Sequence, residues 1–286
     1  LQNLGQVHGL SPLNRNAAED DAREKMYENV MEEYDYANLN EEGVLVDYYV
    51  RRHTTQYRNN FVELASKYVS EYRRVTSQKA RQQVDSLAPK NTEDPEVYAD
   101  KVEEIILYAM EKLPLDKVFD FGEPRAIGKR LPNGRQIYSD GVLPDYINIL
   151  YEVGKTETAN EIAMEYLKQL ETELNYFEKS DAMIAYENQD EFIAFGMNFL
   201  RTFRSVYVSN EDNEIANYAS KLENRLTNKI VPGIANEIRS RKINDTRGRR
   251  TVVRNMNREA QEFLNLYTAL LQENGLADEP QAAGGQ

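Results

Sequence analysis

The 286-residue sequence contains no cysteine and no tryptophan, and it has only two histidines, His8 and His53. Without cysteine the chain has no disulfide bond, no thiolate nucleophile and no cysteine-ligated zinc or iron–sulfur site. The histidines lie far apart in the sequence, so solvated or locally hydrogen-bonded side chains are a simpler interpretation than a metal site. Motifs of the GxSxG, Walker, GxGxxG and HExxH types are missing too. We therefore expect no catalytic site, no metal site and no cofactor in this chain.

Long apolar runs and an excess of positive charge are also absent. No run approaches the ~20 apolar residues of a membrane-spanning helix, and no signal peptide is evident. Leu1 is not a natural start residue, so we expect the sequence to be a piece of a longer protein. The 48 acidic residues outnumber the 35 basic ones, and the resulting net charge of −13 argues against a general nucleic-acid binder. The 41% of hydrophobic residues is enough for a packed core.

Three segments repeat one pattern of apolar residues. Large side chains recur at positions i, i+3 and i+7 around a smaller or less bulky residue at i+4, which describes one face of an amphipathic helix with a notch for close packing. The three sets are Phe61, Leu64, Ala65 and Tyr68, then Leu143, Tyr146, Ile147 and Leu150, then Phe192, Phe195, Gly196 and Phe199. This spacing is typical of the first helix of tetratricopeptide-like (TPR-like) hairpins. The predicted fold is therefore all-α, with antiparallel helical hairpins stacked as an α-solenoid.

The turn residues and the apolar periodicity divide the chain. We predict an irregular lead-in over residues 1–20, a helical-repeat domain over 21–276 and a disordered tail over 277–286. The predicted helices cover about 21–35, 47–72, 97–113, two helices within 143–178, 188–207, 212–229 and 249–274. Pro232-Gly233 is expected to end the third helical pair. Insertions are expected at about 73–96 and 119–141, and Pro132-Asn133-Gly134 in the second indicates a small β-hairpin, which we expect to be the only β-structure.

A basic run stands out near the end of the acidic chain. Seven basic residues and a single acid, Asp245, fall between positions 239 and 254, which gives this run a net charge of +6. The basic residues are Arg239, Arg241, Lys242, Arg247, Arg249, Arg250 and Arg254. Two interpretations remain open. The run docks on an anionic surface, such as lipid headgroups or an acidic face of a partner, or it pairs with the protein's own acidic helices.

A short sequence in the first insertion suggests a modification site. Asp85-Ser86-Leu87 resembles the Asp-Ser/Thr-apolar acceptor sequence for O-glycosylation of exported Bacteroidota proteins, which makes Ser86 a candidate acceptor. Three-residue motifs occur often by chance, so this one carries little weight alone.

Two blocks of the sequence resemble a known family. The first block is Met26-Tyr27-x-Asn29-Val30-Met31, then Gly43-Val44-x-Val46-Asp47, Val50-Arg51-Arg52 and Arg58-x-Asn60-Phe61-x-x-Leu64-Ala65. The second block is Met110-Glu111-Lys112-Leu113-Pro114, then Leu143-Pro144, Tyr151-x-x-Gly154-x-x-x-x-Ala159-Asn160-Glu161 and Leu174-x-Tyr176. Together they are similar to the C-terminal soluble, TPR-like region of the large Bacteroidota membrane proteins assigned to glycosyltransferase family 117. Those proteins carry a multi-pass N-terminal portion that resembles protein O-mannosyltransferases.

The resemblance implies a non-catalytic helical-repeat interaction domain in the periplasm. It also implies that a preceding membrane portion anchors this domain and carries the catalysis. The implied partner is a protein or its own membrane domain, or a glycan or an anionic lipid surface, and not nucleic acid. One alternative is a stand-alone scaffold or accessory subunit of a bacterial envelope complex. Another is a helical carbohydrate-active enzyme with two acidic catalysts, although no spacing singles out a pair among acids such as Asp181 and Glu187.

Overall fold

A computed structural model of the chain describes residues 2–3, 8–9, 15–84, 92–115, 126–130, 136–138, 142–187, 196, 200–206, 208–209, 214–247 and 250–273. Helices make up most of this described part, which confirms the mainly helical fold that the periodicity predicted. Two compact units are distinguished: Leu1–Asp120 with Asp145–Ala159, and Phe121–Pro144 with Asn160–Gln286. Among the described residues, no helix combines the length and the apolar character needed to cross a membrane.

The first unit is organised around an antiparallel pair of long helices. The short strands β1 (Gln2–Asn3) and β2 (His8–Gly9) pair with each other, and α1 (Arg15–Glu28) continues into a π-helical turn, Asn29–Glu33. The helices α2 (Tyr48–Val84) and α3 (Pro95–Lys112) then pack side by side. Their antiparallel direction follows from two contacts: the rings of Phe61 and Tyr108 lie 6.1 Å apart, and Arg74 bonds Glu93 at 2.6 Å.

Helix α2 is longer than the sequence pattern predicted, and part of the expected insertion at 73–96 is wrong. The polar residues after Tyr72 suggest a loop, but the helix continues to Val84. Residues 73–84 contain no proline or glycine, and they are rich in Arg, Gln, Lys and Ala, which favour helix. Val75 is buried, and Arg74 pairs with Glu71 one turn earlier at 2.7 Å. Polarity here marks a solvated helix face instead of a loop.

The lead-in boundary at residue 20 is also wrong, because α1 already begins at Arg15. The segment from Arg15 to Asp21 contains alanine, glutamate and arginine, which are good helix formers, and no glycine or proline interrupts it. Helix α3 begins close to its predicted start. Pro95 occupies its first turn, and the Asp94 carboxylate accepts a hydrogen bond from the Glu96 N–H at 3.4 Å.

The second predicted hairpin consists of α4 (Val142–Glu152) and α5 (Thr156–Lys179). Gly154 adopts φ +82° between them, as expected for a residue that ends a helix. The Lys155 N–H donates to the Leu150 carbonyl at 3.0 Å, and the Gly154 N–H donates to the Tyr151 carbonyl at 3.1 Å. These two bonds are those of a Schellman motif, which closes the end of α4 and fixes the direction in which the chain enters α5.

Helices α2 and α4 run in the same direction within the first unit, and the start of α5 contacts α3. Tyr146 of α4 donates to the Arg58 carbonyl of α2 at 3.2 Å, and Glu152 of α4 pairs with Arg73 further along α2. At the start of α5, Lys155 bonds Glu96 at 2.9 Å. Thr158 of α5 donates a hydrogen bond to the side chain of Glu103, further along α3. Position numbers increase together along α2 and α4, so α4 is parallel to α2.

The second unit contains most of α5 and the remaining elements. β3 (Ala126–Arg130) and β4 (Gln136–Tyr138) pair antiparallel in the predicted insertion, and the expected turn residues Pro132-Asn133-Gly134 lie outside the described residues. The helix α6 (Ala182–Glu187) follows α5. Residues 200–206 are helical, and α7 (Glu214–Arg225), a π-helical turn (Leu226–Ile230) and α8 (Val231–Ser240) form one continuous helical stretch.

The predicted break at Pro232-Gly233 is wrong, because the chain stays helical from Glu214 to Ser240. In a regular α-helix the ring of proline clashes with the carbonyl four residues earlier, and its nitrogen has no hydrogen to donate. Here a wider π-helical turn immediately precedes Pro232, and the Val231 N–H donates to the carbonyl of Leu226, five residues back. The changed bonding pattern accommodates the proline in the first turn of α8.

The predicted helix at 249–274 is wrong in its first turns. β5 (Lys242–Arg247) and β6 (Arg250–Asn255) form a second antiparallel hairpin, and α9 begins only at Asn257 and runs to Glu273. The hairpin at 126–138 is therefore not the only β-structure either. Ile243, Thr251, Val252 and Val253 are β-branched, and such residues fit strands better than helices. Helix α8 packs against α6 and α9 in this unit.

Most predicted core positions are confirmed. The residues of the first two apolar sets are all buried, with exposed fractions of 4% or less. Of the third set, Gly196 is buried, and the three phenylalanines lie outside the described residues. Ala65, the small residue of the first set, and Ala159 of α5 are both 0% exposed. The helical period therefore identified the buried faces correctly even where helix ends were misplaced.

Candidate functional site

The basic run forms part of the β5–β6 hairpin. In its ladder, Arg247 pairs directly with Arg250, Ile243 pairs with Arg254, and the two strands are joined by residues 248–249, which lie outside the described residues. Directly paired residues share one face of an antiparallel ladder, and alternate residues of a strand share it too. The register therefore places all three strand arginines on the same face.

The remaining basic residues of the run occupy different surroundings. Arg239 is exposed in the last turn of α8 and donates to the Asn236 side chain at 3.1 Å. Lys242 is exposed at the start of β5. Arg241, which ends α8, is held by two acids of the protein itself: it bonds Asp181 at 2.6 Å and Glu237 at 2.7 Å. Arg241 therefore pairs with acidic side chains of the protein itself.

Asp181 is engaged on both of its carboxylate oxygens. Oδ1 accepts the Met183 N–H at 2.8 Å, which caps the start of α6, and Oδ2 accepts from Arg241. The Met183 N–H and the Arg241 guanidinium together hold the pKa of Asp181 below its ordinary value. Glu187, the other acid considered as a catalyst, is exposed at the end of α6. Asp181 therefore links the start of α6 to the end of α8.

An open groove lies in the second unit between α5 and the start of α7. Its volume is about 540 Å³, and its lining is mostly apolar. The lining residues are Asn160, Glu161, Met164, Glu165 and Lys168 of α5, and Glu214 and Ile215 of α7. Their spacing on α5 follows one stripe of the helix surface, and the first two residues of α7 form the opposite wall. We call this site the α5–α7 groove.

Below the groove, the same two helices are joined by charged and polar contacts. Tyr218 of α7 donates to Glu171 of α5 at 2.5 Å, and Arg225 donates to Glu178 at 2.9 Å. Both pairs are separated by 47 positions, so α7 runs parallel to α5. Lys229 also pairs with Glu178. The lower part of the α5–α7 contact is therefore neutralised internally.

These contacts shift the pKa values of the groups involved. The Lys229 ammonium and the Arg225 guanidinium hold the pKa of Glu178 below its ordinary value. Burial, followed by the hydrogen bond to the Glu171 carboxylate, raises the pKa of Tyr218 to about 12. Glu178 therefore stays ionised, and Tyr218 stays protonated, at neutral pH.

The groove differs from this lower part in its charges. Glu161, Glu165 and Glu214 are exposed, and none of them makes a hydrogen bond or an ion pair with another described residue. Three carboxylates and the single ammonium of Lys168 give the lining a net charge of −2. Sequence reasoning missed this site, because it depends on which two helices lie side by side. The only signal in the sequence is Met164, an apolar residue that shares a helical stripe with Glu161 and Glu165.

The other sequence-predicted residues belong to different parts of the chain. His8 lies in β2 and His53 lies in α2. The candidate acceptor Ser86 and the basic residue Arg249 both lie outside the described residues. In the part of the chain that the structure describes, His, Asp and Glu side chains form no group of three or more that is able to hold a metal ion.

Comparisons of the chain with protein-family models, with curated proteins and with solved structures found no match.

Proposed function

We propose that this chain is a non-catalytic helical-repeat interaction domain that docks on an anionic lipid surface through the β5–β6 hairpin. The chain is proposed to act at the periplasmic face of a bacterial membrane, where it is part of a glycosyltransferase-like membrane protein or lies beside one. The periplasmic location and the membrane partner rest on the resemblance of the two sequence blocks. The helical repeat and the docking surface rest on the geometry of the helices and of the hairpin.

The parallel course of corresponding helices supports a repeat architecture. When antiparallel hairpins stack side by side, each first helix lies along the next first helix, and each second helix lies along the next second helix, in the same direction. Within the first unit, α4 follows α2 in this way. Within the second unit, α7 follows α5 with a constant offset of 47 positions. A TPR-like solenoid has this arrangement.

The pairing of Arg247 with Arg250 is the observation that carries the docking proposal. Like charges that lie directly opposite each other disfavour an antiparallel ladder, and the register places only one acid, Asp245, on the same face as Arg247, Arg250 and Arg254, which leaves this face with a net charge of +2. An anionic surface relieves the repulsion and gains the attraction of a third arginine, Arg254, on the same face. Each cation near an anionic membrane surface contributes about 1 kcal/mol to binding.

The test replaces Arg247, Arg249 and Arg250 together by glutamate and measures sedimentation of the protein with vesicles. The vesicles contain either anionic phosphatidylglycerol or only neutral phosphatidylcholine, and each series is repeated over a range of salt concentrations. We expect the wild-type chain to bind anionic vesicles, to be released by salt and to ignore neutral vesicles. We expect the triple variant to lose this binding while keeping its melting temperature, which distinguishes docking from a structural role of the arginines.

A matched control changes the same amount of charge elsewhere. Lys67, Arg81 and Lys179 lie on helices outside the hairpin, and their triple replacement by glutamate should leave most of the vesicle binding in place. Equal losses in both triple variants would show that only the net charge matters. Unfolding of the hairpin variant would show that the arginines support the fold, and the docking proposal would then fail. Wild-type binding to an acidic protein but not to anionic vesicles would move the proposal from lipid to a protein partner.

A further inference from the structure

The α5–α7 groove is separate from the hairpin and has a different chemistry. Its seven lining residues share no position with the basic run. The groove combines an apolar floor, formed by Met164 and Ile215, with a rim of exposed carboxylates. We propose that this groove binds a basic peptide segment of a partner protein, one that carries bulky apolar side chains between its cationic residues.

The charges along α5 favour a cationic occupant. In the lower part of this helix, Glu171 and Glu178 face the cation Arg225 of α7, which bonds or pairs with both. In the upper part, Glu161 and Glu165 face no cation of α7 among the described residues, and Glu214 adds a third carboxylate. Among the described residues, the carboxylates of the upper part therefore have no cationic partner. Arginine or lysine side chains of a partner supply the missing charge.

The apolar floor defines the second requirement. Met164 is half-buried, and a methionine at this position adapts its shape to different apolar side chains. Ile215 is only 5% exposed, so its side chain is held in place and contributes rigid apolar surface to the groove. A segment that carries only charge would leave this apolar surface against water, so a bulky apolar side chain between the cations binds more tightly.

The dimensions suit a short peptide. The stripe from Asn160 to Lys168 is about 12 Å long, because an α-helix rises 1.5 Å per residue. An extended chain covers that distance with about four residues. The volume of about 540 Å³ lies within the range of ordinary ligand clefts. The chain's own C-terminal residues are an unsuitable occupant, since 277–286 contains Asp278 and Glu279 and no basic residue.

The probe is a short fluorescein-labelled peptide of alternating arginine and leucine, and its binding to the full chain is followed by fluorescence polarisation. Two comparison peptides replace every arginine by glutamate, or every leucine by serine. We expect only the arginine–leucine peptide to bind well. Replacing Glu161, Glu165 and Glu214 by glutamine should weaken its affinity about tenfold, because three ion pairs with the peptide are lost. Met164→Ala should weaken it severalfold with the carboxylates intact.

The matched control replaces Glu32, Glu42 and Glu157 by glutamine, which are exposed and lie outside the groove. We expect this control to bind the peptide like the wild type. An equal loss in the control, full binding by the groove variant, or no binding by the wild type would each overturn the proposal. So would a reversible self-association of the wild-type chain in sedimentation velocity that the groove variant abolishes, because the occupant would then be a second copy. The groove variant is also tested with the anionic vesicles. If it still binds them, a failure of the peptide proposal leaves the docking of the hairpin on lipid unaffected.

Discussion

We expect two glycines of this chain, Gly154 and Gly233, to respond in opposite ways to substitution by alanine. Gly154 ends α4 with φ +82°, whereas Gly233 lies in helical backbone inside the stretch from Glu214 to Ser240. At both positions an added Cβ meets no atom of the described residues within 4 Å, apart from adjacent backbone. Steric crowding from other parts of the structure is thus equal, and only the local backbone conformation distinguishes the two sites.

The expected magnitudes follow from that difference. A left-handed backbone costs a residue with a Cβ roughly 1–2 kcal/mol, so Gly154→Ala should lower the free energy of unfolding by about 1 kcal/mol or more. In a helix, glycine is about 0.5–1 kcal/mol less favourable than alanine, so Gly233→Ala should raise that free energy by a similar amount. Gly154→Asn should cost less than Gly154→Ala, because asparagine tolerates the left-handed region better.

The assay is urea unfolding followed by far-ultraviolet circular dichroism, with the wild-type chain and the three variants measured side by side. The two alanine variants should move the transition midpoint in opposite directions with unchanged slope. A stabilising effect of Gly154→Ala would refute the Schellman geometry at this position. A destabilising effect of Gly233→Ala would refute the continuous helix through Pro232. Gly154 also matters for packing, since it directs Lys155 toward Glu96 of α3.

Two further predictions concern packing and pH. Ala65 is fully buried, so Ala65→Leu should overpack the α2 face and lower the free energy of unfolding by ~1–3 kcal/mol. Lys67→Leu on the same helix should lower it by less than ~1 kcal/mol. Equal melting temperatures for the two variants would contradict the assignment of Ala65 to a close-packed notch. The pKa of Glu178 is lowered in the folded state, so its carboxylate stabilises the fold above its ordinary pKa, and this stabilisation is lost as the pH falls through the lowered value. Glu178→Gln should therefore lower stability by about 1 kcal/mol at pH 7, and the difference from wild type should shrink in acid unfolding experiments.

The buried faces of the helices were predictable because burial on a helix repeats with its own period. Phe61, Leu64, Tyr146 and Leu150 are each at most 1% exposed, as their spacing indicated. Gly154 was predictable for a related local reason, since glycine is the usual residue in a left-handed helix end. Information that is local in the sequence was sufficient in these cases.

The errors arose where one local signal has two structural meanings. Polarity after Tyr72 indicates a loop, but a solvated helix face has the same composition. Pro232 indicates a break, although a π-helical turn before it changes the bonding. The apolar residues of 250–255 fit a helical period and also a strand, and pairing with β5 decided in favour of the strand.

The α5–α7 groove was not predictable from the sequence, in which Met164 beside Glu161 and Glu165 is a weak signal. Its two walls are separated by some fifty positions, at Glu165 and Glu214 for example, and only the parallel course of the helices brings them together. Nothing in either segment alone distinguishes its glutamates from other solvated acids of this acidic chain.

The parallel stacking of corresponding helices is the central claim, and cross-linking tests it most directly. The chain contains no cysteine, so introduced pairs are the only thiols. Three double variants replace Glu171 and Tyr218, Glu178 and Arg225, or Glu178 and Tyr218 by cysteine. Each variant is treated with a short bis-maleimide and analysed on denaturing gels. The first two pairs lie side by side, and we predict that they cross-link. The third pair is offset by about two helical turns, and we predict that it does not. Efficient cross-linking of the third pair together with failure of the first two would contradict the parallel arrangement and the repeat architecture built on it.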